Sequence, residues 1–472
     1  MLKRENAALR LENAALRQEN QALRQQVETL QITVNLLMAQ VKELTDRLNK
    51  NSSNSHKPPS SEGYRKQPAF KKETKGIKGG QKGHQGNTLQ MVSQPDYTIP
   101  VFAEICICGH DIRNEPKTAG EQRQVFDIPA PKIEVTAYQQ YTIKCPCCQR
   151  VNVKNFPEDV NAPVQYGNRL RALSVLLNND YKVPVGKIGT LVNDLYGVRP
   201  NEASIVANNG RCYDKLEPIE QSIKDKINSS AVAHADETGV RVEGKLHWFH
   251  TTSTELFSYF YVHAKRGSEA INDTRSIIAK YTGTLVHDCY KSYFKLTNLK
   301  HALCGAHILR ELTAQIEDNK QWAVSMKDFL LELLRTPQVQ NVTNKLLLEE
   351  KYDAIIAAGK IQEPIPEKTG KRGKTKKTKG LNLLERLEDH KQSVLAFAYD
   401  PDIPFTNNLA ERDIRPTKIK MKVSNTFRSS QGAHHHARIA GFTSTLRKQN
   451  LNVFSSLLDI FTGKNIALSF ST

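Results

Sequence analysis

The chain has 472 residues, more than one hydrophobic core normally holds, so several folded units joined by linkers are expected. Its 67 Lys and Arg against 49 Asp and Glu give a formal net charge of +18, which favours a polyanionic partner such as nucleic acid. No apolar run is long enough to span a bilayer and no basic-then-apolar leader stands at Met1, so no membrane role is expected and the cytoplasm or nucleoid is the expected location. At the N-terminus, leucine recurs every seventh residue from Leu2 to Leu44. Asn6, Asn13, Asn20, Val27, Val34, Val41 and Leu48 follow four residues after each, filling the d and a positions of heptads. Glu5, Glu12 and Glu19 then fall at g and Arg10, Arg17 and Arg24 at e, which predicts a parallel homodimeric coiled coil over 1–50. Buried Asn at three a positions disfavours larger oligomers and shifted registers.

Residues 51–95 are rich in Ser, Asn, Pro, Gly and Lys and read as a flexible basic linker. Five of the eight cysteines then fall between 106 and 148, which in a reducing compartment points to metal before disulfide. "CICGH" and "CPCC" flank a β-patterned stretch, "RQVFDIPAPKIEVTAYQQYTIK", so a zinc-ribbon-like β domain is expected over 96–160. Its expected zinc ligands are Cys106, Cys108, Cys145 and Cys148, with Cys147 as an extra candidate. Residues 161–228 are helical in pattern. A helix opening near Pro184, a break at Gly197 and a second helix after Pro200 make a possible helix-turn-helix DNA-binding region, and a plain helical spacer is the alternative.

From 229 the period changes. "AVAHADETGVRV", "KLHWFHTTS" and "LFSYFYVHAK" read as a three-stranded meander, "SEAINDTRSIIAKY" as a helical crossover and "TLVHDCYKSY" as a buried strand parallel to its neighbour. Two of these strands end on an acid, Asp236 and Asp288. Strand alternation puts Val232, His234, Asp236 and Thr238 on one face, leaving Glu237 to point away, outward or toward a backbone turn. Two hard divalent cations about 3.5–4 Å apart need a third carboxylate. Glu411, on a helix opening at Asn407 and Asn408, supplies it, with Asp413 as the competing acid. Arg412, Arg415, Lys418, Lys420 and Lys422 follow as a basic rim for DNA phosphates.

Taken together, "NNLAERDIRPTKIKMKVSNTFRS", "GFTSTLRKQ", "HADETG", "VHDCYKSYF", "HALCGAHILREL", "NSSNSHKPPSS" and "GGQKGHQGNTL" resemble a transposase of the insertion-sequence 66 family, within the DDE transposases. The resemblance covers nearly the whole chain; only the tight "CICG" spacing departs from it. It implies a multidomain α+β protein with an RNase H-like α/β catalytic core. In that core Asp236, Asp288 and Glu411 bind two Mg²⁺ (or Mn²⁺) ions, one activating water or a DNA 3′-hydroxyl and the other stabilising the leaving oxygen. Also implied are a zinc-binding domain, cutting and joining of an element's terminal inverted repeats, target DNA as partner, and accessory proteins of the same element. The core would span 229–300 and 403–472, interrupted by a helical insertion over 301–402 with a disordered basic loop at 364–380. Cys304 and His307, spaced i to i+3, read as packing residues rather than metal ligands, because two donors do not close a zinc site. His434, His435 and His436 read as a solvated basic face. A non-catalytic DNA-binding repressor and a metal nuclease that does not join strands are the rival readings.

Overall fold

A computed structural model describes residues 2–49, 89–335, 342–366, 377–466 and 468; most of the expected linker, 51–88, and the lysine-rich run 367–376 lie outside them. The N-terminal repeat forms one unbroken helix, α1 (Leu2–Asn49), as its Ala, Leu, Gln and Arg content favours. Leu9, Leu16, Leu23, Leu30, Leu37 and Leu44 line it, and each is about half exposed or more, so the apolar stripe is uncovered in the single chain. Asn13 and Asn20 turn their amides back onto the carbonyls of Leu9 and Leu16 at 3.0 and 2.9 Å.

The cysteine-rich region holds a small antiparallel pair, β1 (Thr142–Lys144) with β2 (Val151–Val153), and an isolated bridge between Ile105 and Asp111. The stretch from 121 to 141, expected as strand, has no regular structure. Val125, Ile128 and Val135 are at least 80% exposed there, and without a layer to cover them their alternation stabilises no strand.

Helices follow: α2 (Asn168–Val175), which runs into a one-turn π-helix at Leu176–Asp180, α3 (Val185–Tyr196), α4 (Glu202–Lys215) and α5 (Glu217–Asn228). Pro184 begins α3, Gly197 ends it in the left-handed region at φ +70°, and the Asn201 side chain caps α4 by accepting from the Ala203 N–H.

The central sheet has five strands in the order β5-β4-β3-β6-β7: β3 (Val232–Val242), β4 (Lys245–Ser253), β5 (Ser258–His263), β6 (Thr284–His287) and β7 (Lys300–Leu303). The first three form the expected antiparallel meander, with Glu243 and Gly244 both at positive φ in the tight β3–β4 turn. β6 and β7 add in parallel beside β3. Residues 301–303, assigned to the insertion from the sequence, are therefore sheet. The expected crossover helix over 268–281 is only α6 (Ser268–Ile271) and a single 3₁₀ turn, because Asp273 bonds the Arg275 backbone N–H and guanidinium at 2.8–2.9 Å and competes with the helical bonds.

Beyond β7, helices α7 (Gly305–Glu317), α8 (Gln321–Arg335), α9 (Val342–Gln362), α10 (Lys379–Asp389), α11 (Lys391–Val394) and α12 (Ala396–Tyr399) enclose a core around Trp322, Tyr352 and Leu384. The chain then returns to the sheet as α13 (Asn408–Ser424), α14 (Ser430–Lys448) and α15 (Val453–Thr462). Ile414, Ala437 and Ala440 from α13 and α14 pack on Val240, Phe249 and Phe260 on one sheet face, while α5 helps cover the other. Running between sheet and helices buries α14 on most sides, which corrects the solvated reading of its histidines. His435 and His436 are buried, and His436 bonds Thr417 at 3.3 Å and Asn179 at 3.2 Å. Burial pushes His436 well below the usual imidazole range.

Candidate functional site

Strand β3 changes partner along its length. Its start pairs in parallel with β6, in the register His234 to Val286, and its remainder pairs only with β4. Two residues further on each strand stand Asp236 and Asp288, so parallel pairing delivers both acids to the same sheet edge. The expectation that β3 ends on Asp236 is corrected: β3 runs on to Val242 against β4, and it is the parallel β3–β6 ladder that stops short of the two acids, leaving Asp236, among the described residues, without a strand neighbour on that side.

The third acid arrives from α13. Asn407 begins that helix, but its side chain does not cap it. Its amide donates to the Ala235 carbonyl at 2.7 Å, its oxygen meets His234 Nδ1 at 3.0 Å, and its backbone N–H donates to Cys304 Sγ at 3.1 Å. This pins the start of the helix to β3 beside Asp236, and Glu411 follows within the first turn. Asp413, the competitor, points elsewhere: it pairs with Lys448 at 2.6 Å and accepts from Ser258 Oγ at 2.9 Å.

Electrostatics link the three acids. Burial pushes the Asp236 carboxyl well above its ordinary range, and the negative charges of Glu237, Asp288 and Glu411 add to that push. The Asp236 and Asp288 carboxylates are each held by a backbone N–H, from Glu237 at 2.9 Å and from Tyr290 at 3.0 Å. Glu411 Oε1 is buried and accepts no hydrogen bond. Among the described residues Asp236, Asp288 and Glu411 do not bring one carboxylate oxygen each within 4.8 Å of one another, but their hard oxygens, the unbalanced charge around Asp236 and the unused buried oxygen of Glu411 are of the donor type that Mg²⁺ or Mn²⁺ takes.

Glu237 corrects the expectation that it points outward. It is buried on the opposite sheet face, where Arg266 Nε meets it at 2.7 Å and the Tyr293 hydroxyl donates to it at 2.5 Å. Arg266 also reaches Asp288 at 4.0 Å and stacks over Tyr290 and Trp248, with centroid distances of 4.1 and 4.9 Å. Burial, followed by the nearby Asp288 charge, still raises the Glu237 carboxyl despite Arg266. No spacing rule ties residue 266 to either acid, so this support was not legible in sequence.

The cysteine turns form as two separate units. Backbone N–H groups of the second cysteine in each pair, Cys108 and Cys148, lead the lowering of Cys106 and Cys145 from the usual thiol range. Among the described residues, no three of Cys106, Cys108, Cys145, Cys147 and Cys148 bring their sulfurs within 4.8 Å of one another. The donors that do meet are Cys304 Sγ, His307 and Glu411, all within 4.8 Å of one another.

Residues 163–435, more than half of the chain, match the Transposase IS66 family. The chain belongs to that family. Residues 5–90 match a family of unknown function, and no curated protein matches the chain. The IS66-family match begins just before α2, ends inside α14 and contains all three acids. Of the basic residues expected to line this transposase's site, Arg412, Arg415 and Lys422 are exposed and Lys418 is half-buried. Lys420 departs from a surface rim: it is buried and donates to the Asn178 carbonyl at 3.1 Å, because it faces the π-turn after α2. Burial lowers it to about 8.

Proposed function

We propose that the chain is a DDE-type DNA transposase whose RNase H-like core cuts the ends of a mobile element and joins them to target DNA. The observation that carries the reading is that the buried Asp236 carboxyl lies within the fields of both Asp288 and Glu411, three acids drawn from segments far apart in sequence. The strand order, three antiparallel strands followed by two parallel ones, supports the fold assignment. Two Mg²⁺ or Mn²⁺ ions bound by these carboxylates would supply an activated nucleophile and charge stabilisation of the leaving oxygen.

The protein's own contribution is position and charge. Asp236, inside β3 just past its parallel ladder with β6, and Asp288, directly after β6, each have one oxygen fixed by a backbone N–H, and Arg266 with Glu237 braces Asp288 from behind. Exposed Arg412, Arg415 and Lys422 lie along the helix that carries Glu411, where they gather DNA phosphates around the acids. Dimerisation through α1 would bring two such cores to two element ends, each uncovered leucine stripe burying the other.

The test is incubation with terminal-repeat DNA and Mg²⁺, scoring nicked and joined products separately. Asp236→Asn, Asp288→Asn and Glu411→Gln should each lower both products by about 10²-fold or more. Unchanged activity in any of the three ends the assignment of that acid. Nicking without joining selects the nuclease reading, and binding without either product selects the repressor.

A further inference from the structure

We propose that Cys304, His307 and Glu411 form a zinc site that shares its carboxylate with the acid cluster. From sequence, Cys304 and His307 supply only two donors; the fold adds the third by laying the first turn of α13 against the start of α7. Cys304 stands immediately before α7 as its N-cap residue, is 1% exposed, and receives the Asn407 N–H at its sulfur. Burial holds the Cys304 thiol above its ordinary range, offset in part by the Asn407 N–H at its sulfur, so loss of its proton belongs to metal binding itself.

Spacing supports coordination. Zinc bonds of about 2.0–2.3 Å in tetrahedral geometry place neighbouring donor atoms about 3.4–3.6 Å apart. His307 Nδ1 and Glu411 Oε1 are 3.8 Å apart, and all three donors fall within 4.8 Å. Small side-chain rotations close the remaining distance. The Glu411 oxygen involved is the buried one that accepts no hydrogen bond. Sulfur, nitrogen and oxygen in one shell select zinc over magnesium, and three protein ligands leave a fourth position open. On binding, the Cys304 thiol gives its proton to solvent.

The site rests on the transposition reading only in that Glu411 then serves two masters: drawn toward Cys304 and His307, it leaves Asp236 and Asp288 without their third partner. Zinc would hold the transposase in an inactive state that magnesium alone does not produce.

The test uses the metal-free full-length chain with Co²⁺ as the zinc probe and no DNA. Wild type should bind one more cobalt equivalent per chain than Cys304→Ser, His307→Gln or Glu411→Gln. The thiolate-to-cobalt charge-transfer band of that equivalent should vanish in Cys304→Ser. Cobalt held by the cysteines between 106 and 148 contributes equally to all four proteins. If Cys304→Ser fails to fold by circular dichroism, His307→Gln decides. Equal uptake by wild type and His307→Gln overturns the site, and cobalt lost only in Glu411→Gln, which also serves the acid cluster, overturns it too. Because no turnover enters the measurement, its failure leaves the transposition reading intact, and absence of DNA cleavage would leave this site intact.

Discussion

Replacing Asn407 by Ala tests how the third acid is held. The side chain is 1% exposed and makes two hydrogen bonds that nothing nearby replaces, to the Ala235 carbonyl at 2.7 Å and to His234 Nδ1 at 3.0 Å. Truncation leaves a buried acceptor and a buried ring nitrogen unpaired at about 1–3 kcal/mol each, so a loss of about 2–6 kcal/mol is expected. Urea unfolding followed by tryptophan fluorescence reads this, since the chain has two tryptophans and Trp248 lies on β4 of the same sheet. A second reading uses Mg²⁺. At a hundred times its dissociation constant a ligand specific for the folded state adds about 2.7 kcal/mol. Wild type should show a gain of that kind and Asn407→Ala should not, because Glu411 one turn later loses its anchor. A cost below about 1 kcal/mol together with an undiminished Mg²⁺ response would refute the claim that Asn407 positions the acid.

Asp236→Asn should stabilise the metal-free protein while removing its Mg²⁺ response. The folded-state pKa of Asp236 is raised, so its contribution is fully present below about pH 4 and is lost as pH rises toward the folded value. Thermal melts across that window should slope down in wild type and flatten in the variant. Lys182 and Lys420 behave in the opposite sense: burial lowers each to about 8, so stability should rise between about pH 8 and pH 10 as the folded protein releases protons before the unfolded chain does. Lys420→Met should shrink that rise, and an unchanged pH profile would count against burial as the cause. Leu23→Glu combined with Leu30→Glu should convert a dimer to a monomer in sedimentation velocity if α1 pairs as a coiled coil.

The acids were legible because strand periodicity and turn signals act over a few residues. β3, β4 and the end of β6 lie where alternation predicts, and Asp288 follows β6 directly. Glu411 was legible only as an acid among basic residues on a helix. What escaped was set by tertiary contact. Asn407 looked like an ordinary cap, yet it spends its side chain on β3. Glu237 was read from the strand period as turning away from the site, which is correct, but the period cannot say that the far face is also buried and holds Arg266 and Tyr293. The three histidines were judged by charge, whereas α14 is nearly surrounded: His435 and His436 are buried, and His436 serves there as a hydrogen-bonding core residue. The β-patterned run from 121 to 141 failed in the reverse direction, having the alternation but no surface to cover it.

Helix α13 is fastened near both ends to different parts of the protein. Its first residues are hooked to β3 through Asn407, and near its far end Lys420 grips the carbonyl of Asn178 in the π-turn of the helical region. Such a beam cannot slide lengthwise without breaking a buried bond at one support or the other. Any load that shifts the region around α2 is therefore felt at Glu411, some nine positions up the rod from Lys420.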